Sequence, residues 1–235
     1  MNRILAVTRL HTVVWWNQFI WPWAIMAISL LVNILIFASI DEAAPGKTST
    51  GGLSSLYVVS AIAAAVSISQ IFPFALGMGV TRRTFYVATV LVNVAQAILY
   101  GVLLYILNLI EGGTNGFGIG LHFFRVPYID VSNGLLQIAV YAAPLLFLNF
   151  VTMFVAIWFV RFGTNGLFAT GAAAILVFGL LGALITWQGW WGDIWHWLST
   201  QHQISLLVGW PALVAVVAAL GGMAAMRKKM APGMA

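Results

Sequence analysis

The sequence predicts an all-α membrane protein: six transmembrane helices with both termini cytoplasmic, an amphipathic N-terminal interfacial helix, and a short outer re-entrant helix between helices 5 and 6. Three observations predict it. Of 235 residues, 62% are hydrophobic and 6% charged, with a mean hydropathy of +1.01, against roughly 25% charged in a soluble domain. Six apolar runs each match the roughly 20 residues that cross a bilayer core. The basic residues collect in alternate connecting segments. A chain so short of charge cannot cover its own surface with solvated groups, which excludes a water-soluble enzyme. Without repeats or long polar linkers, residues 1–235 read as a single membrane domain.

The runs are Phe19 to Ile40, Leu56 to Leu76, Phe85 to Ile110, Leu135 to Val160, Gly166 to Trp187 and Ile204 to Met226. They are too long for barrel strands and lack period-two alternation, so they are helices. The first exceeds a signal-peptide core and contains Trp21, Pro22 and Trp23, so it is expected to be retained. Arg3, Arg9, Arg82, Arg83, Arg161, Arg227, Lys228 and Lys229 fall on one side of these runs. Lys47 and Arg125 fall on the other with all the acids: Asp41, Glu42, Glu111, Asp130 and Asp193. The positive-inside rule then places both termini in the cytoplasm of a multi-pass cell-membrane protein. The same rule accounts for the net charge of +5, and no nucleic-acid partner is expected.

Residues 1–18 read as an amphipathic helix. Ile4, Val7, Leu10, Val14 and Trp15 recur at helical spacing, with Arg3, Arg9, His11 and Asn17 between them. Such a helix either lies in the cytoplasmic interface against a soluble partner or anchors the chain with snorkelling arginines. The turn at 77–86, Gly-Met-Gly-Val-Thr-Arg-Arg-Thr-Phe-Tyr, ends one helix on two glycines and starts another behind Thr81. Its arginines serve either as topogenic charge or as a contact. In the third run Asn93, Gln96 and Tyr100 share one face, and Asn33, Gln70, Gln137 and Asn149 add polar groups elsewhere. Intramembrane amides of this kind line a path or, more often, glue helices together at about 1 kcal/mol each. Pro144 is expected to kink the fourth run. The outer segment 187–203 holds Trp187, Trp190, Trp191, Trp195 and Trp197. The first four fit one helical face, which suggests a short helix in the outer leaflet.

Some chemistry is missing. The chain has no Cys, so disulfides and thiolate sites are excluded. No run carries Asp, Glu, Lys, Arg or His at its centre, where proton-coupled carriers and voltage sensors place one. His11, His122, His196 and His202 are scattered, and neither HExxH nor GxSxG occurs. Catalytic, metal and cofactor residues are therefore expected to be none. Gly46-Lys47-Thr48 lacks the first glycine of a phosphate loop, which would fall at Asp41.

The order of parts resembles the ABC-type-2 permeases, the membrane-domain family of ABC exporters. The stretch Phe74-Ala75-Leu76-Gly77-Met78-Gly79-Val80-Thr81-Arg82-Arg83-Thr84-Phe85-Tyr86 is similar to the "ALGxGxTRRxFY" element of small bacterial members. The resemblance implies a permease without a fused ATPase or a large extracellular domain. It would pair with a second or sibling permease and with two separate ATPase subunits that hold ATP and Mg. It makes Val80, Thr81, Arg82, Arg83, Thr84 and Phe85 the ATPase-coupling element, and residues 1–18, with Arg3, Arg9 and Trp15, the connecting helix. Trp190 to Trp197 becomes the outer re-entrant element. Gln70, Asn93, Gln96, Tyr100 and Asn149 are the residues expected to line the path or glue its helices. The cargo expected of an uncharged lining is amphipathic or hydrophobic: a drug, antibiotic, peptide or lipid. From other classes, a non-transporting scaffold or regulatory subunit would recruit a partner through the same turn. A uniporter or channel would need polar stripes on several helices.

Overall fold

A computed structural model describes residues 3–39 and 48–227, with side chains over 18–39 and 49–226. It is nearly all helical, and several of its helices are long and apolar enough to cross a membrane. That makes it a membrane protein. The chain runs through α1 (Arg3–Ala38), β1 (Thr48–Ser49), α2 (Ser54–Val66), α3 (Phe72–Gly77), α4 (Arg82–Gly113), β2 (Leu121–His122), α5 (Gly134–Gln188), α6 (Trp191–Thr200) and α7 (Trp210–Arg227).

Two features correct the run-by-run expectation. Residues 3–38 form one unbroken helix through Pro22, not an interfacial helix followed by a separate span. The expected fourth and fifth spans are two limbs of α5, divided by Gly163 alone. Its φ of 68° with ψ of −172° lies where side chains are not tolerated, so glycine can reverse the helix there. The limbs fold back on each other. Trp158 Nε1 donates to Thr170 Oγ1 at 2.8 Å, although twelve residues of straight helix would separate them by about 18 Å. The expected kink at Pro144 is not a break, because α5 keeps helical dihedrals through it and leaves them only at Gly163.

Prolines act instead on the helix before them. A π turn at Ser67–Ile71 joins α2 to α3, ending two residues before Pro73. A second, Ser205–Gly209, ends two residues before Pro211. Proline has no N–H and its ring crowds the carbonyl four residues back, so the ladder widens.

The buried residues form two clusters. One gathers Ile68, Phe72, Phe85, Tyr86, Met153, Ile157, Ala215 and Met226; we call this the basic end, because the Arg82–Arg83 turn and Arg161 adjoin it. The other gathers Met26, Leu56, Tyr100, Leu104, Phe123, Phe124, Tyr141 and Leu145 at the cap end. Close approach is set by small residues. A Cβ on Gly101 of α4 would sit 2.8 Å from the Ile138 carbonyl of α5, and one on Gly222 of α7 would meet the Tyr86 hydroxyl at 2.5 Å.

Candidate functional site: the basic turn, the polar seam and the cap

The basic turn is fixed by two helix signals placed back to back. At the end of α3, Gly79 takes φ 78°; its N–H donates to the Leu76 carbonyl at 2.9 Å, while the Val80 N–H donates to the Ala75 carbonyl at 3.1 Å. This paired arrangement closes a helix on a left-handed glycine. Val80 then packs on the core cluster of the basic end. Thr81 is already extended, and its hydroxyl accepts from the Thr84 N–H at 3.2 Å and bonds the Thr84 hydroxyl at 2.7 Å, capping α4. Four residues thus stop one helix and start the next. The turn is bolted to its surroundings: Phe85 stacks on Phe72 at 5.2 Å, and the Tyr86 hydroxyl donates to the Ala219 carbonyl of α7 at 2.6 Å. Phe85 is buried, Arg82 half-buried and Arg83 exposed.

The face formed by Asn93, Gln96 and Tyr100 is buried between helices. Asn149 of α5 donates to the Asn93 side-chain oxygen at 3.0 Å, and Asn93 donates to the Thr89 carbonyl at 2.9 Å. Gln96 donates to Ser60 of α2 and to the Gln18 carbonyl of α1, both at 3.5 Å. Tyr100 donates to the same carbonyl at 3.2 Å, and Gln18 donates to the Ser67 hydroxyl. Thr152 reaches the Ala61 carbonyl at 3.1 Å. These groups tie α1, α2, α4 and the first limb of α5 into a polar seam that includes Asn93, Gln96, Tyr100 and Asn149. Gln70 is not brought to the seam; it is exposed. The Asn149 side-chain oxygen is buried with no hydrogen-bond partner. Sequence reasoning missed Gln18, Ser60, Ser67 and Thr152, because each matters only through what another helix presents to it. The side chains of Arg3, Arg9 and Trp15 lie outside the described residues.

The cap end is organised by Glu111, in the last turn of α4. Its carboxylate is buried and accepts the N–H groups of Phe123 at 3.1 Å, Phe124 at 2.7 Å and Arg125 at 3.0 Å. Three donors offset the cost of burying the charge and of placing it at the negative end of a helix. Asp130 receives Arg125 Nε at 2.7 Å and Asn108 at 3.4 Å. That pairing holds the exposed Arg125 guanidinium above its ordinary pKa. Tyr141 donates to the Phe124 carbonyl at 2.8 Å and accepts from Asn108 at 3.0 Å. Gln137 clamps Ile129 and Val131. A short parallel pairing of β1 with β2 joins the segment before α2 to the cap. An acid at the end of an apolar run, eleven residues before His-Phe-Phe-Arg, was the available signal for this nest.

The aromatic segment differs in detail from its expectation. Gly189, at φ 71°, ends α5 before α6 begins at Trp191, so Trp187 and the later tryptophans do not share one helix. All five are exposed. Trp197 packs edge-on to Trp210 at 5.8 Å. Gln203 reaches the Tyr128 carbonyl at 2.5 Å, which places this segment beside the cap.

No family model matches the chain, and no similar curated protein or solved structure was found.

Proposed function

We propose that this chain is the transmembrane permease subunit of an ATP-driven ABC exporter. In this reading it crosses a bacterial cell membrane six times, the two limbs of α5 counting as two crossings, with both termini in the cytoplasm. It pairs with a second copy or a sibling permease and with two separate ATPase subunits that carry ATP and Mg. In this reading α6 is the outer re-entrant helix. The observation that carries the reading is the turn at Gly77–Phe85. A helix stop and a helix start within four residues make a rigid knob, and Phe85 and Tyr86 lock it to α3 and α7. Force applied to Arg83 is thereby delivered to helices rather than absorbed by a loop. A membrane domain with no ionisable group at its helix centres takes its energy from such a contact.

The test is charge reversal. Arg82→Glu with Arg83→Glu is expected to abolish co-purification of an ATPase subunit and its hydrolysis, while the permease still inserts and elutes at its usual size. Normal ATPase recovery in the double variant would remove the coupling assignment. One observation favours the scaffold as a second reading: the polar groups of the seam bond to one another within this one chain. Export of an amphipathic dye from inverted vesicles containing the complex decides between them. ATPase binding without dye movement would favour the scaffold.

A further inference from the structure

A cavity of about 340 Å³ lies between the start of α4 and the end of α7, lined by Thr81, Arg82, Arg83, Tyr86, Met223 and Met226. We propose that it binds the phosphate of an anionic phospholipid. Its walls carry two chemistries. Two guanidiniums and the positive end of a 32-residue helix face one side. Two methionine thioethers, soft and adaptable apolar groups, face the other. A phosphodiester carrying acyl chains satisfies both walls. Inorganic phosphate would satisfy only the first and would leave its charge against the methionines.

The charge distribution points the same way. Residues 3–18, 77–84, 158–166 and 219–235 contain no Asp or Glu. The described acids are at the other end or on α6. Glu111 is held by three backbone N–H groups, Asp130 by Arg125 and Asn108, and Asp193 lies in the first turn of α6. A carboxylate at the cap end is separated from Arg83 by the length of α4, roughly 45 Å. These segments bring no Asp or Glu to the basic end, and a surface of that sign suits the headgroups of an anionic leaflet. A lipid seated here contacts both α4 and α7, so it would set the angle at which the turn is presented. The inference does not depend on an ATPase, because it is measured on the chain alone.

The experiment is native mass spectrometry of the purified full-length chain in a neutral maltoside micelle, titrated with phosphatidylglycerol or phosphatidylcholine. Expected is one retained phosphatidylglycerol per chain in preference to phosphatidylcholine, weakened about fivefold for each arginine neutralised in R82Q and R83Q. Met223→Glu, which leaves both arginines in place, is expected to abolish the preference. Arg161→Gln, at the same end but outside the cavity, is expected to leave it unchanged. Should an arginine variant fail to fold, the wild-type preference must still fall as salt is raised. Equal retention of the two lipids, an Arg161→Gln loss as large as that of R83Q, or displacement by excess inorganic phosphate would each overturn the proposal.

Discussion

The two limbs of α5 are both apolar throughout, yet they fare differently. The first buries Gln137, Val140, Tyr141, Leu145, Asn149, Met153, Ile157 and Val160; the second, after Gly163, buries nothing. The difference is in their polar and small residues rather than in hydropathy. Gln137, Tyr141, Asn149 and Thr152 each reach another element. In the second limb the hydroxyls of Thr170 and Thr186 donate to their own helix, at the Gly166 and Gly182 carbonyls, and accept from Trp158 of the first limb and Trp191 of α6. Lipid is as apolar as leucine, so side-chain hydrogen bonds and close fit decide which helices pack. The second limb meets the first along a cavity of about 300 Å³ lined by Phe154, Val155, Trp158, Leu167, Thr170, Gly171 and Ala174. Its remaining faces are left for lipid or for another subunit.

Four experiments would break or sharpen that contrast. The largest effect is expected from Glu111→Ala, which strands the N–H groups of Phe123, Phe124 and Arg125 and frees the cap from the end of α4. A loss of about 3–5 kcal/mol should appear in unfolding by denaturing detergent, with protease cleavage newly admitted between 114 and 133. Gly222→Leu forces a side chain against Tyr86 and Ile157, and about 1–3 kcal/mol of overpacking is expected in the same assay. The coupling between Asn93→Leu and Asn149→Leu, measured as a double-mutant cycle, should be about 0.6–1 kcal/mol. Zero coupling would mean the seam is not held by that bond. The smallest effect belongs to the second limb. Leu180→Ala, at 63% exposure, should change the stability of the isolated chain by less than about 0.5 kcal/mol. A cost matching that of a buried leucine would show that the limb is covered in the purified form.

Much of this fold is legible in the sequence, and the rest fails for specific reasons. The apolar runs mark the long helices to within a few residues, since length and hydropathy are local properties. Gly77, Gly79 and Thr81 announce the turn because a left-handed glycine and a hydroxyl cap are themselves local devices. Gly163 is one glycine among 23 in the sequence, and nothing short of its dihedrals reveals that it is the whole connection. Of the candidate path residues, Asn93, Gln96 and Tyr100 were recognisable as one face. Their partners Gln18 and Ser60 were not, because pairing across 36 to 78 residues depends on packing. The unbroken α1 contradicts a boundary drawn from composition, which changes near Gln18 while the backbone ladder does not.

The π turn at Ser67–Ile71 amounts to one surplus residue stored inside a helix. Deleting Ser69 would let the ladder relax to ordinary α spacing and rotate everything downstream by about 100°. Phe72 and Ala75, now fully buried, would swing off the core of the basic end, and the Arg82–Arg83 knob would turn with them. The direction in which this protein presents its charged knob is therefore a matter of counting: one amino acid, far from the knob itself, sets its compass bearing.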